Sequence, residues 1–417
     1  MEEKTVHLLM KRFQDIIKDA IKESLSDIYI TGGHPMVSRK NGVIQFHNTV
    51  KWTHQEVDDF LRQLLTPRQL ELLRERKSLD YALSVNKVRL RMNAFTTNRG
   101  MSLAIRVLSG YIPTIDELNL HPSLEEISKI RTGLILTCGG TGVGKTTTIA
   151  AIINAINTNR PAHIITLENP IEYRFQSKKA FIQQRELGAH MPSFAQGLLD
   201  ALRENPDVIV IGELRETDTM QIALTAAESG HLVIATLHAS TPEEAIYRLC
   251  NTVPPDAQNE VRYQLASTLQ WLIVQQLVYL KKFKIRVPLL TIVRGTQAIK
   301  NTIRENKLNQ LESAIQIGKN EGMFTSASYF SDYLENRQNF TSPAQVFRPS
   351  VETADEVIYE SPLTKDIPLL KSLKQPSPGI GSESIIIRSE YDRDEIETML
   401  TINEDASLQE LIRKLES

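Results

Sequence analysis

The sequence predicts an α/β protein in which a doubly wound parallel sheet follows a smaller α+β domain. From about Thr114 onward, short apolar segments rich in β-branched residues alternate with helical segments, as in parallel strands with helices on both faces. Before Gly110 the pattern is one of amphipathic helices and of strands separated by glycine-containing turns. We therefore expect one domain at residues 1–112, a second at 113–339, and a mostly disordered linker and tail at 340–417.

Hydrophobic periodicity predicts the elements of the N-terminal domain. Residues 6–25 form an amphipathic helix, and residues 27–46 form strands joined by Gly-Gly and Asn-Gly turns. Residues 54–76 form a helix that is broken before Pro67, and residues 81–108 form two or three strands.

Four buried parallel strands are predicted in the second domain, each ending in polar residues. Ligands of such sheets bind at the carboxyl ends of the strands. The sequence pattern predicts helices at residues 243–280 and 297–316, and it predicts short helices in the tail at residues 396–417. The strands are 133–138, 162–168, 207–213 and 231–238.

Composition excludes several classes of protein. The chain has 417 residues, is 41% hydrophobic and 24% charged, and carries a net charge of −2, so no nucleic-acid partner is expected. No apolar segment is long enough to span a membrane, and the N-terminus shows no secretory signal. Cys138 and Cys250 lack the spacing of metal ligands, and we expect Cys138 to be a small buried residue.

The segment "GGTGVGKTTT" satisfies the pattern G-x-x-x-x-G-K-[ST], with an apolar strand before it and a helix after it. Glycines let backbone N–H groups surround phosphate oxygens, the lysine reaches the β- and γ-phosphates, and the following hydroxyl can bind Mg²⁺. The predicted nucleotide-binding residues are Gly139, Gly140, Thr141, Gly142, Val143, Gly144, Lys145, Thr146 and Thr147.

Hydrolysis also needs an acid at the metal and a base for the water. Glu213 closes a predicted strand, where its carboxylate can orient the metal shell, unless it is only a solvated strand end. Either Glu168 or Glu172 can take a proton from water, unless both lie in an exposed turn. His231 and His238 flank a strand, and each can be a phosphate sensor or a hydrogen-bonded core histidine.

Taken together, these motifs resemble the secretion and type IV pilus ATPases, and within them the twitching-motility retraction (PilT-like) branch. The resemblance runs from about Ser26 to Leu334. "LENPIEY" resembles the family's Asp box, "PDVIVIGELRE" its Walker B segment and "TAAESGHLVIATLHAS" its His box. "AIKNTIRENK" and "SDIYITGGHPMVSRKNG" resemble a helix of retraction members and the family's N-terminal opening.

The resemblance implies a RecA-like P-loop domain, preceded by a PAS-like domain, that binds ATP and Mg²⁺. It implies that Glu213 is the Walker B acid, that Thr146 and Glu213 lie at the metal, and that Glu172 rather than Glu168 activates water. It also implies that N-terminal-domain arginines reach the γ-phosphate and that the His box senses nucleotide. The matching residues are Arg91, Arg106, His231 and His238, with Arg99 as a weaker candidate.

The resemblance further implies a homo-hexamer in the cytoplasm, bound peripherally to the inner membrane at a pilus base. Hydrolysis would displace an inner-membrane platform protein, with hinge residues near Gly110. The sequence departs from the family at four positions, where it has Tyr29, Asn169, Gln276 and Thr291.

Four alternatives remain open from the sequence. The chain can be a retraction paralogue or a compact secretion or assembly ATPase, although it lacks the zinc loop usual in assembly members. It can also be a weakly catalytic regulatory ring subunit, which Asn169 favours. A nucleic-acid translocating motor is disfavoured by the near-neutral charge.

Overall fold

The N-terminal part of the chain folds around a six-stranded antiparallel sheet with the strand order β3-β2-β1-β6-β5-β4. The computed structural model describes residues 2–347 except 24, 41, 42, 86, 87 and 109. We call this part the N-terminal lobe. Its elements are α1 (Glu2–Glu23), β1 (Asp27–Thr31), β2 (Pro35–Lys40), β3 (Val43–Lys51), α2 (His54–Leu64), α3 (Pro67–Arg76), β4 (Ser78–Val85), β5 (Val88–Thr97) and β6 (Gly100–Val107).

The helices of this lobe form where the sequence predicts them. Helix α1 buries Phe13 and Ile17, which face the core from its apolar side. Helices α2 and α3 each begin with a capping box, at Thr53 and Thr66, and Pro67 at the start of α3 explains the break between them.

Strand β5 has one face in the core of the lobe and one charged face. Leu90 and Met92 are fully buried against the helices, so the alternation of side chains along a strand directs Arg89 and Arg91 to the opposite face. Arg91 is paired in register with Arg106 of β6, and directly opposed residues of an antiparallel pair project on the same side. Three arginines therefore share the face that is turned away from the core.

The C-terminal lobe contains a seven-stranded sheet with the order β13-β12-β7-β11-β10-β8-β9, parallel except for the pair β12–β13. Turns of 3₁₀-helix lie at Pro122–Lys129, Leu308–Gln310 and Gly318–Glu321, and a π-helical turn lies at Tyr329–Leu334. The other elements are β7 (Gly133–Cys138), α4 (Lys145–Asn159), β8 (His163–Glu168), β9 (Phe181–Glu186), α5 (Phe194–Arg203), β10 (Val208–Ile211), α6 (Thr217–Glu228), β11 (Leu232–Leu237), α7 (Pro242–Cys250), α8 (Gln258–Thr268), β12 (Leu269–Leu280), β13 (Ile285–Arg294), α9 (Gln297–Arg304), α10 (Leu311–Ile317), α11 (Ser326–Ser328) and α12 (Pro343–Val346).

Two hydrophobic cores cover the two faces of this sheet, as a doubly wound arrangement requires. One core includes Leu134 and Leu136 of β7 with α5 to α9, and the other includes Ile135 of the same strand with Ile152 of α4. The four predicted central strands are present as β7, β8, β10 and β11, and Cys138 is buried as expected. Their carboxyl ends lie at one edge of the sheet, where the predicted site residues follow them.

One predicted helix is wrong. The sequence pattern predicts helices at residues 243–280, but Leu269–Leu280 is the long strand β12. Its first half is buried on both faces between β7 and β13, so it reads as a continuous apolar run without the alternation that identifies a half-buried strand. The edge strand β9, whose side chains are mostly polar, was not predicted.

The predicted disordered segment and the tail helices at 396–417 lie outside the described residues, apart from 340–347. The described residues belong to one compact unit that includes both lobes. The predicted domain boundaries at 112 and 339 stay a prediction. Among the helices that the structure describes, none has the length and apolar character needed to cross a bilayer.

Candidate nucleotide site

The predicted phosphate loop lies between the carboxyl end of β7 and the first turn of α4. Gly139, Gly142 and Gly144 have φ angles of 143°, 78° and 91°, values that only glycine adopts readily. The Lys145 ammonium donates hydrogen bonds of 2.8 Å to the carbonyl oxygens of Gly139 and Gly140, which holds its charge inside the loop. The loop therefore has the backbone freedom and the enclosed cation that suit a phosphate chain.

Gln275 of β12 supports this loop from the neighbouring strand. The side chain is 1% exposed, and its Nε2 donates to the Val143 carbonyl at 2.6 Å while its Oε1 accepts from Thr148 Oγ1 at 2.7 Å. A Cβ at Gly139 would collide with the backbone oxygen of Gln275. The buried Gln275 amide thus ties the loop at Val143 to the first turns of α4 at Thr148.

Glu213 and His238 follow β10 and β11, so both lie at the carboxyl edge of the sheet. His238 Nε2 is 3.1 Å from Glu213 Oε1, and Arg215 Nη2 is 2.7 Å from Glu213 Oε2. Burial lowers the pKa of Lys145. The negative charge of the Glu213 carboxylate partly offsets this by raising the same pKa, so the two charges interact. The side chain of Thr146 is exposed in the first turn of α4.

The segment 169–176, which we call the Asp-box loop, is held by the adjacent strand β9. Gln184 Nε2 donates to the Tyr173 carbonyl at 2.8 Å, and Gln184 Oε1 accepts from the Phe175 N–H at 3.0 Å. The Tyr173 hydroxyl and Thr147 Oγ1 are hydrogen-bonded at 3.0 Å, which connects the Asp-box loop to α4. The loop that carries the candidate base is therefore fixed relative to the phosphate loop.

Glu168 ends β8 just before this loop. Its Oε1 accepts hydrogen bonds from Thr166 Oγ1 at 2.6 Å and from Gln184 Nε2 at 2.9 Å. Burial raises the pKa of Glu168 to about 7, and the neighbouring Glu172 contributes to the rise, while the two hydrogen bonds oppose it. A carboxyl group with such a pKa can exchange a proton near neutral pH.

Glu172 faces the arginines of the N-terminal lobe. Arg91 Nη1 lies 3.6 Å from Glu172 Oε1, and Arg106, opposite Arg91 in register, donates from Nε to Asp27 Oδ1 at 2.9 Å. Burial raises the pKa of Glu172, and the positive charges of Arg91 and Arg106 counteract that rise. The structure therefore brings the candidate base near both predicted arginines within one chain.

A third arginine of the same face makes closer contacts than either of these. Arg89 Nη2 is 3.0 Å from Glu186 Oε2, and Arg89 Nε donates to the Ile171 carbonyl at 3.1 Å. The Ile171 N–H donates to the same Glu186 oxygen at 3.0 Å. Arg89 and Glu186 are a partly buried ion pair between the two lobes, with side chains only 11% and 14% exposed.

Two predicted residues lie away from this group. His231 precedes β11, is partly buried, and has its Nδ1 3.1 Å from the Ala226 carbonyl. His231 and His238 are seven positions apart along extended chain, roughly 23 Å, so the two lie at opposite edges of the sheet. Arg99 lies in the turn between β5 and β6, at the far end of the hairpin from Arg91.

Sequence reasoning missed four residues of this arrangement, and each had a signal. Gln275 is a polar residue that follows a strongly apolar run, where burial requires hydrogen-bond partners. Arg89 stands two positions from Arg91, the spacing of one strand face. Gln184 and Glu186 show the same spacing, but β9 itself was not predicted.

Comparison with known proteins identifies the family. Residues 2–318 match the family described as Type II/IV secretion system protein. The chain belongs to this family. Within it, the chain is 36% identical over 313 residues to the type IV pilus retraction ATPase PilT of Pseudomonas aeruginosa, which covers 75% of this chain and 90% of that protein. It is also 41% identical over 313 residues to the uncharacterized protein YggR of Escherichia coli, covering 75% of this chain and 95% of YggR.

A solved structure agrees with this assignment to the Type II/IV secretion family. The crystal structure of the pilus retraction motor PilT with bound ADP superimposes with a TM-score of 0.71 at 35% identity, covering 81% of this chain and 97% of that chain. The predicted RecA-like fold and the PilT-like branch are confirmed, and the chain is an ATPase of this family. The role of each site residue stays a prediction.

Proposed function

We propose that this ATPase is a homo-hexameric motor that retracts a type IV pilus by acting on an inner-membrane platform protein. The named relatives, a pilus retraction ATPase among them, support this direction of force. The observation that carries the proposal is the approach of Arg91, from the N-terminal lobe, to Glu172 at 3.6 Å. Arg91 and Glu172 belong to different lobes. Hydrolysis of a γ-phosphate bound between them would therefore change the orientation of one lobe relative to the other.

In this proposal each charged group has a separate task. Lys145 stabilises the charge of the transferred phosphoryl group, and Arg91 and Arg106 add positive charge from the N-terminal lobe. Glu172 takes a proton from the attacking water, with Glu168 beside it as a second proton acceptor. Glu213, held by His238, orients the metal shell.

The residues present fit a magnesium ion shared with a nucleotide. Within the part of the chain that the structure describes, no three His, Cys, Asp or Glu side chains form a metal site by themselves. Mg²⁺ is usually bound through one or two protein oxygens together with phosphate oxygens and water, and Thr146 and Glu213 offer those oxygens. When bound, the ion neutralises charge on the phosphates.

The proposal includes the predicted organisation and location of the chain. An N-terminal domain at 1–112 would move against an ATPase domain at 113–339, in the cytoplasm and peripheral to the inner membrane. The segment between β6 and the 3₁₀ turn at Pro122–Lys129 would contain the hinge.

Two measurements on the full chain test this proposal. ATP turnover and the mass in solution are measured together for wild type and for Lys145→Ala. We expect the wild-type chain to be a hexamer that hydrolyses ATP. Lys145→Ala should lower the turnover rate at least about a hundredfold, because it removes the ammonium group that contacts the phosphates. Lys178→Ala is the control, since Lys178 binds Asn154 on the outer part of α4. Normal turnover in Lys145→Ala would refute the site.

The direction of force is tested in cells that lack their own retraction ATPase. Expression of this chain should restore pilus retraction, and Lys145→Ala should not. Restored pilus assembly without retraction would instead identify an assembly motor.

A weakly catalytic ring subunit is the second candidate, and Asn169 favours it. This residue stands between Glu168 and Glu172 where the resemblance predicts an aspartate. If the missing carboxylate limits turnover, Asn169→Asp raises kcat by about tenfold or more, whereas the leading proposal expects a change within about twofold.

A further inference from the structure

The backbone of Ile171 is held from both sides by one ion pair. Its N–H donates to Glu186 Oε2 at 3.0 Å, and its carbonyl accepts from Arg89 Nε at 3.1 Å. The same Glu186 oxygen lies 3.0 Å from Arg89 Nη2, so the three residues form a closed ring of hydrogen bonds. The backbone N–H and the backbone carbonyl of Ile171 are therefore satisfied by side chains from two different lobes.

The residue that follows Ile171 is Glu172. Fixing the N–H and the carbonyl of Ile171 restricts the backbone on which Glu172 is carried, and so restricts where its carboxylate lies. Arg89 and Arg91 are two residues apart on β5, roughly 7 Å along the strand and on one face. The contact that holds Ile171 is therefore the immediate neighbour, on both chain segments, of the contact between Arg91 and Glu172.

Burial distinguishes Arg89 from Arg91. The Arg89 and Glu186 side chains are 11% and 14% exposed, whereas Arg91 is 38% exposed and lies 3.6 Å from Glu172. Breaking a pair that is shielded from water to this degree leaves a poorly solvated, uncompensated charge, so the Arg89 contact is more costly to disrupt than the Arg91 contact. Arg91, the more exposed of the two, has the weaker contact and so can also engage a phosphate, whereas the Arg89 guanidinium is already bound to Glu186 and to the Ile171 carbonyl.

We propose that Arg89 and Glu186 are positioning residues for hydrolysis, because their ion pair fixes Ile171 and thereby places Glu172 against Arg91. This inference rests on the proposed catalytic role of Glu172. Neither residue touches the reacting atoms. Arg89 and Glu186 raise the rate of the hydrolysis step and leave nucleotide binding at the phosphate loop unchanged.

The test uses the full-length chain with Arg89→Lys and Glu186→Gln. Lysine keeps the charge of Arg89 but lacks the planar guanidinium that donates to two acceptors at once. Glutamine keeps the shape of Glu186 but removes its charge. Arg185→Lys is the matched control, because Arg185 lies beside Glu186 on β9 but pairs with Asp200 and Glu204 of its own lobe. The readouts are kcat and KM for ATP, Kd for a fluorescent ADP analogue, and the thermal midpoint.

We expect each variant to lower kcat by about tenfold to a hundredfold, with KM and Kd within about threefold of wild type. The double variant should lose no more than the worse single variant, because both substitutions break one contact. Arg185→Lys should keep wild-type kcat. A kcat within about twofold of wild type in both single variants, or a rise in KM with unchanged kcat, would overturn the inference.

The outcome separates this inference from the proposed function. If wild type hydrolyses ATP and Glu172→Gln stops hydrolysis, but Arg89→Lys is fully active, only the positioning role fails. If wild type itself is inactive with ATP, the proposed function fails and the inference fails with it.

Discussion

His238 Nε2 lies 3.1 Å from Glu213 Oε1, so a histidine at the end of one strand orients the carboxylate at the end of the next. The second carboxylate oxygen is held by Arg215 at 2.7 Å. Neighbouring parallel strands end at the same edge of the sheet, so strand order and register bring these two residues close together.

His238→Ala should lower kcat by about tenfold and leave ATP affinity nearly unchanged, because it removes the group that orients Glu213 without altering the phosphate loop. His231→Ala should have little effect on kcat, because His231 lies at the other edge of the sheet. Steady-state ATP hydrolysis gives kcat for His238→Ala and for His231→Ala. Equal losses in the two variants would contradict this separation.

Glu172→Gln should bind ATP but hydrolyse it at least about a hundredfold more slowly, because the amide cannot take the proton of water. Glu168→Gln should cause a smaller loss, since Glu168 Oε1 is already engaged by Thr166 and Gln184. Single-turnover hydrolysis after nucleotide binding separates the two effects. If Glu168→Gln stops turnover and Glu172→Gln does not, the two roles are exchanged.

Glu168 should make the folded chain less stable as pH rises. Its pKa is about 7 in the folded chain against an ordinary 4.5, so between these values the folded state holds more protons than the unfolded state. Stability therefore falls as pH rises through this window. Glu168→Gln removes the fall, and its thermal midpoint should exceed that of wild type by about 2–4 °C at pH 8, with little difference at pH 4.5.

Thermal melts at several pH values check this, with the exposed Glu71→Gln on α3 as the control. A difference between Glu168→Gln and wild type that is the same at pH 4.5 and pH 8 would contradict the assignment.

Gln275→Leu should lower stability by about 1–3 kcal/mol and weaken nucleotide binding, because it leaves the Val143 carbonyl and the Thr148 hydroxyl without their partner. Gln276→Leu is the matched control, since the adjacent side chain is exposed on the other face of β12. Urea unfolding and nucleotide titration measure the two effects. Similar results for both variants would show that Gln275 does not support the loop.

Local patterns in the sequence were sufficient for much of this protein. The glycine spacing around Lys145 and the polar ends of the apolar strands are patterns of a few residues, so they can be recognised without knowledge of the fold. The same local reading failed for Leu269–Leu280, because a strand buried on both faces has no alternation. The sequence placed His231 and His238 at the two ends of a predicted strand, but only the structure showed that His238 contacts Glu213.

By itself, the sequence determined the phosphate loop, the carboxylates and the arginines that match a known pattern. The tertiary structure alone decided which of them meet. The contacts of Arg89 with Glu186 and of Gln275 with Val143 join residues 97 and 132 positions apart along the chain, and these contacts depend on strand order and on the approach of the two lobes. Such long-range contacts leave no periodic signal, because each partner needs only to be polar and correctly placed in space.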